Sequence, residues 1–459
     1  MLLSKQPFSY KDPSGFVVEE RGIYYRYITY HYQQQYDHFL ASGLYDQLIK
    51  RKWMVSHNEC MLKAASKSYY KLILPEQVEF ITYPFEWTYS QWREAAILFT
   101  EINLLALQYG MILKDATPYN FTFHKGKCIL MDTLSFDFYK EGEPWLAYRE
   151  FCSTFLGPIA LMKYKGQIWS RLSRVFLKGF PLKFISKSLP LISWFNITGL
   201  LHLHLHAFFQ NPAHSSKPKS YFSTGKLQQL HKQIRNQLIL WKEPKITKSI
   251  WTHYYEKDIE SNIYQEDKNK IIEQWISEIK PLVTIDIGAN TGRYCKVAAK
   301  FSQRVIGIEE DMEAAEIGVR DIKQSSYTNI QLLQADIAEP SPGLGWINLE
   351  KKDLLSRMKG DTVLALAVLH HLCIGKNLPL SFTVSLFNQM TTESLIIEFV
   401  SREDAKVQLM LSQREDIFSA YNETNFMQAM QSFFELKAVY PLADSHRTMF
   451  WWRKRSATF

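Results

Sequence analysis

The stretch Val283-Thr-Ile-Asp-Ile-Gly-Ala-Asn-Thr-Gly-Arg293 decides how this chain is read. Val283 to Ile287 has the β-branched, apolar character of a short buried strand, and it runs into a glycine turn and then a helix. Gly288 and Gly292 let the backbone come close to a ligand, and the helix after them directs free N–H groups at the site. Loops that cradle a pyrophosphate use G-x-G-x-x-G at this point. Here Asn290 and Arg293 stand where the second and third glycines of that pattern fall. Asp286, just before the turn, would repel a phosphate. A carboxylate there suits a ligand that carries an ammonium group.

Two more acids follow at strand tips. The strand Arg304-Val-Ile-Gly-Ile-Glu309 ends in an acid 21 residues after Gly288, a position that commonly takes a ribose diol. A third strand, Asn329 to Ala335, ends at Asp336. Three acids at successive tips make one crevice along the carboxyl edge of a parallel sheet. The bland alternative is solubilising acids at the strand ends of an unrelated α/β domain. The D-x-G-x-x-x-G run resembles motif I of the class I S-adenosyl-L-methionine (SAM) methyltransferases. That resemblance implies SAM as cofactor, with Asp286, Gly288, Asn290 and Gly292 at its methionine moiety, Glu309 at the ribose and Asp336 beside the adenine.

The remaining strands read as Asp361 to Ala367, Ser394 to Val400, Phe434 to Leu442 and Arg447 to Arg453, with helices between the first five strands. Seven strands, the last two an antiparallel pair, give a doubly wound, Rossmann-like α/β sheet. Two connections look functional. Glu339-Pro-Ser-Pro-Gly-Leu-Gly-Trp346 is a Pro/Gly-rich loop with one aromatic, and Ala367-Val-Leu-His-His-Leu372 closes the fourth strand. His370 or His371, if neutral, could serve as a general base. Equally, one of them packs and the other hydrogen-bonds backbone. With Glu398 and Trp346 they line the expected acceptor side. Asp286 to Gly292, Ser341 to Trp346, Leu364 to Leu372 and Ile396-Ile-Glu-Phe-Val400 together resemble a bacterial family of large SAM-dependent methyltransferases related to nodulation-protein methyltransferases. Ser42-Gly-Leu-Tyr45, Tyr83-Pro-Phe-Glu-Trp87 and Lys114-Asp-Ala116 extend that likeness into the N-terminal half. It implies methyl transfer to an acceptor, for which a small molecule is favoured.

The chain of 459 residues has room for two or three domains. The reading divides it at 1–150, an α+β module; 151–210, a basic helical segment; 211–250, a linker and polar helix; and 251–459, the methyltransferase-like domain. Five cysteines, with no C-x-x-C pair, argue against a disulfide framework or a zinc site and for a reducing, cytoplasmic setting. Met1 to Tyr10 has no long apolar run of the secretory kind.

In the first 150 residues, 14–30 read as a hairpin turning at Glu20-Arg21-Gly22, Tyr36 to Lys50 as a helix, and Ser90 to Tyr109 as a long helix with Ser90 as N-cap. Beyond it, Asp115 and Asn120 have D-x-x-x-x-N spacing, a hairpin turns at Lys125-Gly126, and Asp132 follows a short strand. Together these resemble the C-lobe of kinase-like phosphotransferases. Asp132 is followed by Thr-Leu, and no glycine-rich loop precedes. An inactive module is therefore expected, with Asp115 capping a turn and Asn120 fixing backbone.

Charge is uneven. Residues 1–250 hold 31 Lys and Arg against 18 Asp and Glu, and residues 251–459 hold 23 against 28. Between Glu150 and Glu243 there are 13 basic residues and no acid, a field that attracts an anionic membrane surface or nucleic acid. Breaks are expected at Gly157-Pro158, Gly179-Phe-Pro181 and Pro190. Leu189 to Gln210 is interrupted by Asn196, His202, His204 and His206, and reads as packed core or a surface-lying segment before a spanning helix. The three histidines read as packing groups, and no metal site is expected. Two functions of other classes stay open: a phosphotransferase in the N-terminal module, and a scaffold whose SAM domain is vestigial.

Overall fold

The computed structural model describes residues 5–9, 11–61, 69–209, 222–244 and 262–456. The run Trp251–Tyr255, most of the 211–225 linker and the first four residues lie outside the described residues. The chain forms two compact units. One runs from the N-terminus to 245 and includes Gly343–Lys351; the other holds 246–342 and Lys352 onward.

In the first unit, β1 (Gly15–Glu20) and β2 (Ile23–Ile28) form the hairpin, with Arg21 at φ 53° and Gly22 at φ 80°. Two left-handed residues in a two-residue loop match the twist of the flanking strands. The helix expected over Tyr36 to Lys50 is instead two, Gln33–Ala41 and Leu44–Lys50, because Gly43 turns left-handed at φ 86° between them. β3 (His57–Cys60) and β4 (Lys71–Pro75), absent from the sequence reading, complete a sheet of order β1-β2-β4-β3. The long helix spans Tyr89–Ala106, and its cap is Thr88 rather than Ser90, with the Thr88 N–H donating to the Gln91 side chain at 2.9 Å. Two short antiparallel pairs follow: β5 (Met111–Leu113) with β8 (Phe136–Phe138), and β6 (Phe121–His124) with β7 (Lys127–Leu130).

Gly157-Pro158 does not break the chain. Helix continues from Tyr148 to Lys165, with a wide i→i+5 turn over Cys152–Leu156 just before the proline. That local widening lets a helix pass a residue that cannot donate. Phe99 of the long helix meets Phe151 at 5.1 Å and Phe155 at 5.4 Å between ring centroids, so the acid-free segment shares the core of residues 1–150. Leu191–Phe195 is a short turn and 197–208 one helical stretch, widened to i→i+5 bonding over Gly199–Leu205, and no described helix is long and apolar enough to cross a membrane.

In the second unit, β9 (Val283–Ile287), β10 (Arg304–Glu309), β11 (Ile330–Gln334), β12 (Gly360–Ala365), β13 (Thr391–Val400), β14 (Phe434–Pro441) and β15 (Arg447–Lys454) form one sheet of order β11-β10-β9-β12-β13-β15-β14. β9 to β13 pair in parallel, and β15 lies antiparallel between β13 and β14. Helices Arg293–Ala299, Met312–Gln324 and Leu380–Met390 supply three of the crossovers. The fourth, from β11 to β12, holds only the short turns Trp346–Asn348 and Leu354–Arg357, because prolines and glycines occupy much of it. β10 lies on one side of β9 and β12 on the other. At such a switch point the connecting segments diverge and leave a crevice outside the carboxyl ends.

Candidate functional site

The crevice is built around the turn after β9. Gly288 (φ 72°), Asn290 (φ 51°) and Gly292 (φ 80°) all take left-handed backbone, and Asn is among the few side chains that tolerate it. The N–H groups of Gly288 and Ala289 both donate to the Ile308 carbonyl at 2.9 Å, tying the turn to the tip of β10. A Cβ on Gly288 would fall 2.5 Å from Val368 in the loop after β12, so glycine keeps the two loops apart.

Asp286 is buried below this turn and accepts from the Cys295 thiol at 3.2 Å. Gly307, its neighbour on β10, makes room: a Cβ there would meet the Cys295 sulfur at 2.8 Å. Burial raises the Asp286 carboxyl to about 7, against the opposing pull of the thiol and of Lys268. Glu309, also buried, accepts the Asn290 N–H and the Asp311 N–H, each at 2.7 Å. Burial likewise raises it to about 7, partly offset by those two N–H groups. Neither carboxylate makes an ion pair among the described residues. Each carboxylate oxygen still has a second lone-pair direction.

The third acid, Asp336, is held differently. It accepts the Ala338 N–H at 2.8 Å and the Lys376 ammonium at 3.0 Å, and that lysine also binds Glu310 at 2.7 Å. Burial favours the neutral acid, but Lys376 and the Ala338 N–H outweigh it and hold Asp336 below its ordinary range. The structure thus ties Glu309 to the glycine turn through the Asn290 N–H, buries Asp286 below that turn on the Cys295 thiol, and ties Asp336 instead to Lys376.

β12 ends at Ala365, two residues earlier than expected, and Ala367 takes φ 53°. Left-handed backbone is uncommon outside glycine and clusters where geometry is functionally constrained. His370 is fully buried, with neither ring nitrogen partnered among the described residues. Its ring lies 4.0 Å from that of His371, which opens a wide i→i+5 turn, His371–Gly375. Burial first, then the neighbouring imidazole, holds His370 well below its ordinary pKa, and burial lowers His371 to about 4. Both are therefore neutral near pH 7.

Glu398, on β13, is not a free carboxylate. It accepts the Lys268 ammonium and the Tyr264 hydroxyl, each at 2.5 Å, with the Arg447 guanidinium at 3.5 Å. Arg447 also pairs with Asp404 at 2.8 Å. Burial opposes ionisation of Glu398, but the two cations hold its pKa below the ordinary value. Trp346 is 62% exposed and belongs to Gly343–Lys351, the segment grouped with the N-terminal unit, where Lys351 lies over the rings of Tyr83 and Tyr119.

Sequence reasoning missed Tyr264, Lys268, Cys295, Lys376 and Arg447. Lys268 acts electrostatically on Asp286, His370 and Glu398 together. The available signal was the Tyr264/Lys268 spacing of four, which puts both on one face of the helix Asn262–Ile279.

Nodulation protein NoeA of Rhizobium meliloti (strain 1021) is 32% identical to this chain over 382 residues, covering 81% of the chain and 80% of NoeA. The chain belongs to the NoeA family. No protein-family model matches it. Among solved structures, the N-methyltransferase NodS from Bradyrhizobium japonicum WM9 superposes on 43% of the chain and 99% of its own, at 11% identity and TM-score 0.32. The magnesium protoporphyrin IX methyltransferase ChlM from Synechocystis PCC 6803, solved with bound SAM, covers 45% of the chain and 90% of its own, at 14% identity and TM-score 0.32. The aligned length exceeds either unit alone, so the likeness to NoeA reaches into both.

Proposed function

We propose that this NoeA-family protein is a SAM-dependent methyltransferase, with the reaction carried by residues 251–459. One observation carries the reading: two buried carboxylates, Asp286 and Glu309, lie about a left-handed glycine turn and make no ion pair among the described residues, with Lys268 acting on Asp286 only at a distance. Buried acids without a directly paired cation are costly, and a ligand bearing an ammonium and a sulfonium compensates them. The residues present fit such a group. Asp286 would hold the ammonium, Gly288, Asn290 and Gly292 leave room for the methionine chain, and Glu309 offers acceptor lone pairs to a ribose diol. Asp336 and Lys376 would border the adenine.

The cofactor supplies an activated methyl group, so the protein has to position, desolvate and manage one proton. His370, neutral and with neither ring nitrogen partnered among the described residues, is the group that would take the proton of an acceptor hydroxyl or amine brought against it. Glu398 fixes Lys268 and Arg447 beside that imidazole and acts as a positioning group. The test is incubation of the protein with methyl-labelled SAM and cell extract. Label should enter a small-molecule fraction with the wild type, and much less with His370→Ala at unchanged SAM affinity. Absence of transfer to any fraction would contradict the proposal.

In the N-terminal unit Asp132 and Asn120 are engaged by neighbouring side chains. Asp132 pairs with Arg26 at 2.6 Å, and Arg26 and Lys114 both reach Asp12, at 3.2 and 3.5 Å. The Asn120 amide donates to the Ser135 hydroxyl rather than fixing backbone. Asp115 is exposed at the surface of this cluster; its partial burial, with repulsion from Glu150, Asp132 and Asp12, raises its pKa to about 6. An arginine already on Asp132 supports a bracing role over phosphoryl transfer.

A further inference from the structure

We propose that residues 191–209 of the N-terminal unit form a rigid apolar knob that seats on an anionic lipid bilayer, independently of the chemistry of the other unit. Leu191, Ile192, Phe195, Ile197, Phe208 and Phe209 are each between 66% and 88% exposed, all within nineteen positions. Large contiguous apolar exposure of this kind marks an interaction surface.

The knob is held, not loose. His204 stacks on Trp194 with centroids 4.1 Å apart and an interplanar angle of 11°. Its two ring nitrogens hydrogen-bond the hydroxyls of Ser186 and Ser193 at 2.8 and 2.7 Å, which clips the helix Leu182–Ser188 and the turn Leu191–Phe195 to the wide helical stretch Gly199–Leu205. On the inner side, His202 hydrogen-bonds Tyr148 at 2.5 Å and His206 stacks on the same ring at 5.0 Å. Leu203 and Ala207 are buried in the core. The histidines therefore lock the inner face, and the outer face is left to phenylalanine, leucine and isoleucine. No metal-holding group of His, Cys, Asp or Glu occurs among the described residues.

Charge selects the occupant. The knob lies within the 92 residues between Glu150 and Glu243 that carry 13 basic side chains and no acid. Lys183 and Lys187, one turn apart on the helix Leu182–Ser188 that precedes the knob, are exposed. Exposed aromatic and aliphatic side chains preceded by exposed lysines, in a stretch with no acid, match the boundary of an anionic bilayer, where the apolar groups enter the acyl region and the lysines meet headgroups. Nucleic acid would use the charge and the phenylalanines but has no use for exposed Leu191, Ile192 and Ile197.

The test is co-sedimentation of the full chain with vesicles of phosphatidylcholine alone or mixed with phosphatidylglycerol. Wild type should sediment with the mixed vesicles only, and less as salt is raised. Phe195→Ser with Phe208→Ser should bind roughly tenfold less or weaker still, since buried apolar area sets interfacial affinity. Lys183→Gln with Lys187→Gln should bind less and lose part of the salt dependence. All four side chains are exposed, so both double variants should melt as the wild type does. Equal recovery from neutral and mixed vesicles overturns the proposal, as does wild-type binding by the phenylalanine variant. Tight binding of single-stranded RNA, unchanged in that variant and without vesicle binding, assigns the basic face to nucleic acid instead.

Discussion

Glu309 at the tip of β10 receives the backbone N–H of Asn290, nineteen residues earlier in the chain, at 2.7 Å. One carboxylate thereby fixes a left-handed residue of the turn it faces and keeps acceptor capacity toward the crevice. Glu309→Ala should loosen the turn and remove that acceptor. SAM affinity should fall by about 1–3 kcal/mol, the usual cost of losing hydrogen bonds to a charged group. Calorimetric titration of the variant measures this, and an unchanged affinity would take Glu309 out of the site.

The pH dependence has a defined sign. Asp286 and Glu309 are raised to about 7 in the free protein, and a cationic ligand favours their ionised forms. Binding should therefore release protons, and affinity should rise between about pH 6 and pH 7.5, by at most about tenfold per unit for each acid. Stability of the free protein runs the other way. Folded pKa values above the unfolded ones stabilise at low pH, and that contribution is lost as pH rises from about 4 to about 7. Saturating SAM should flatten the decline. Titrations in buffers of different ionisation enthalpy would count the protons, and proton uptake on binding would contradict the assignment.

The Lys268–Glu398 pair is buried on both sides, at 5% and 0% side-chain exposure. Lys268→Met leaves a carboxylate in the core beside Arg447 and Tyr264, and should cost about 3–5 kcal/mol of unfolding free energy. Urea denaturation measures it. A loss below about 1 kcal/mol, the range of exposed pairs, would show that the network is open to water.

ATP turnover should stay at background in the wild type and in Asp115→Asn alike. Asp132 is already occupied by Arg26, and no glycine-rich loop covers a phosphate tail. Magnesium-dependent hydrolysis in the wild type that the variant abolishes would make the module a working phosphotransferase.

The glycine turn was legible because its parts lie close together. Asp286, Gly288, Gly292 and Glu309 fall within 24 residues, and the strand periods on either side announce themselves. The network on Glu398 was not legible, because Tyr264 and Lys268 lie 134 and 130 residues away from it, and nothing local in the sequence joins them. The same logic explains β3 and β4. Each is at most five residues long and half-exposed, so neither shows clean alternation, and their place comes from pairing with β2. Gly157-Pro158 misled because a wide turn outside the local pattern absorbs the proline. The grouping of Trp346 with the N-terminal unit was not legible, because its segment is read locally from its place after β11 while its contacts are distant in sequence.

The central claim is that the crevice after β9 takes a cationic SAM rather than a phosphate-bearing dinucleotide, and direct calorimetric titration of the full chain tests it. Wild type should bind SAM and its demethylated product, with NAD far weaker. Asp286→Asn, which preserves shape and removes the charge, should lose most SAM affinity and gain none for NAD. Tighter binding of NAD than of SAM by the wild type would contradict the account.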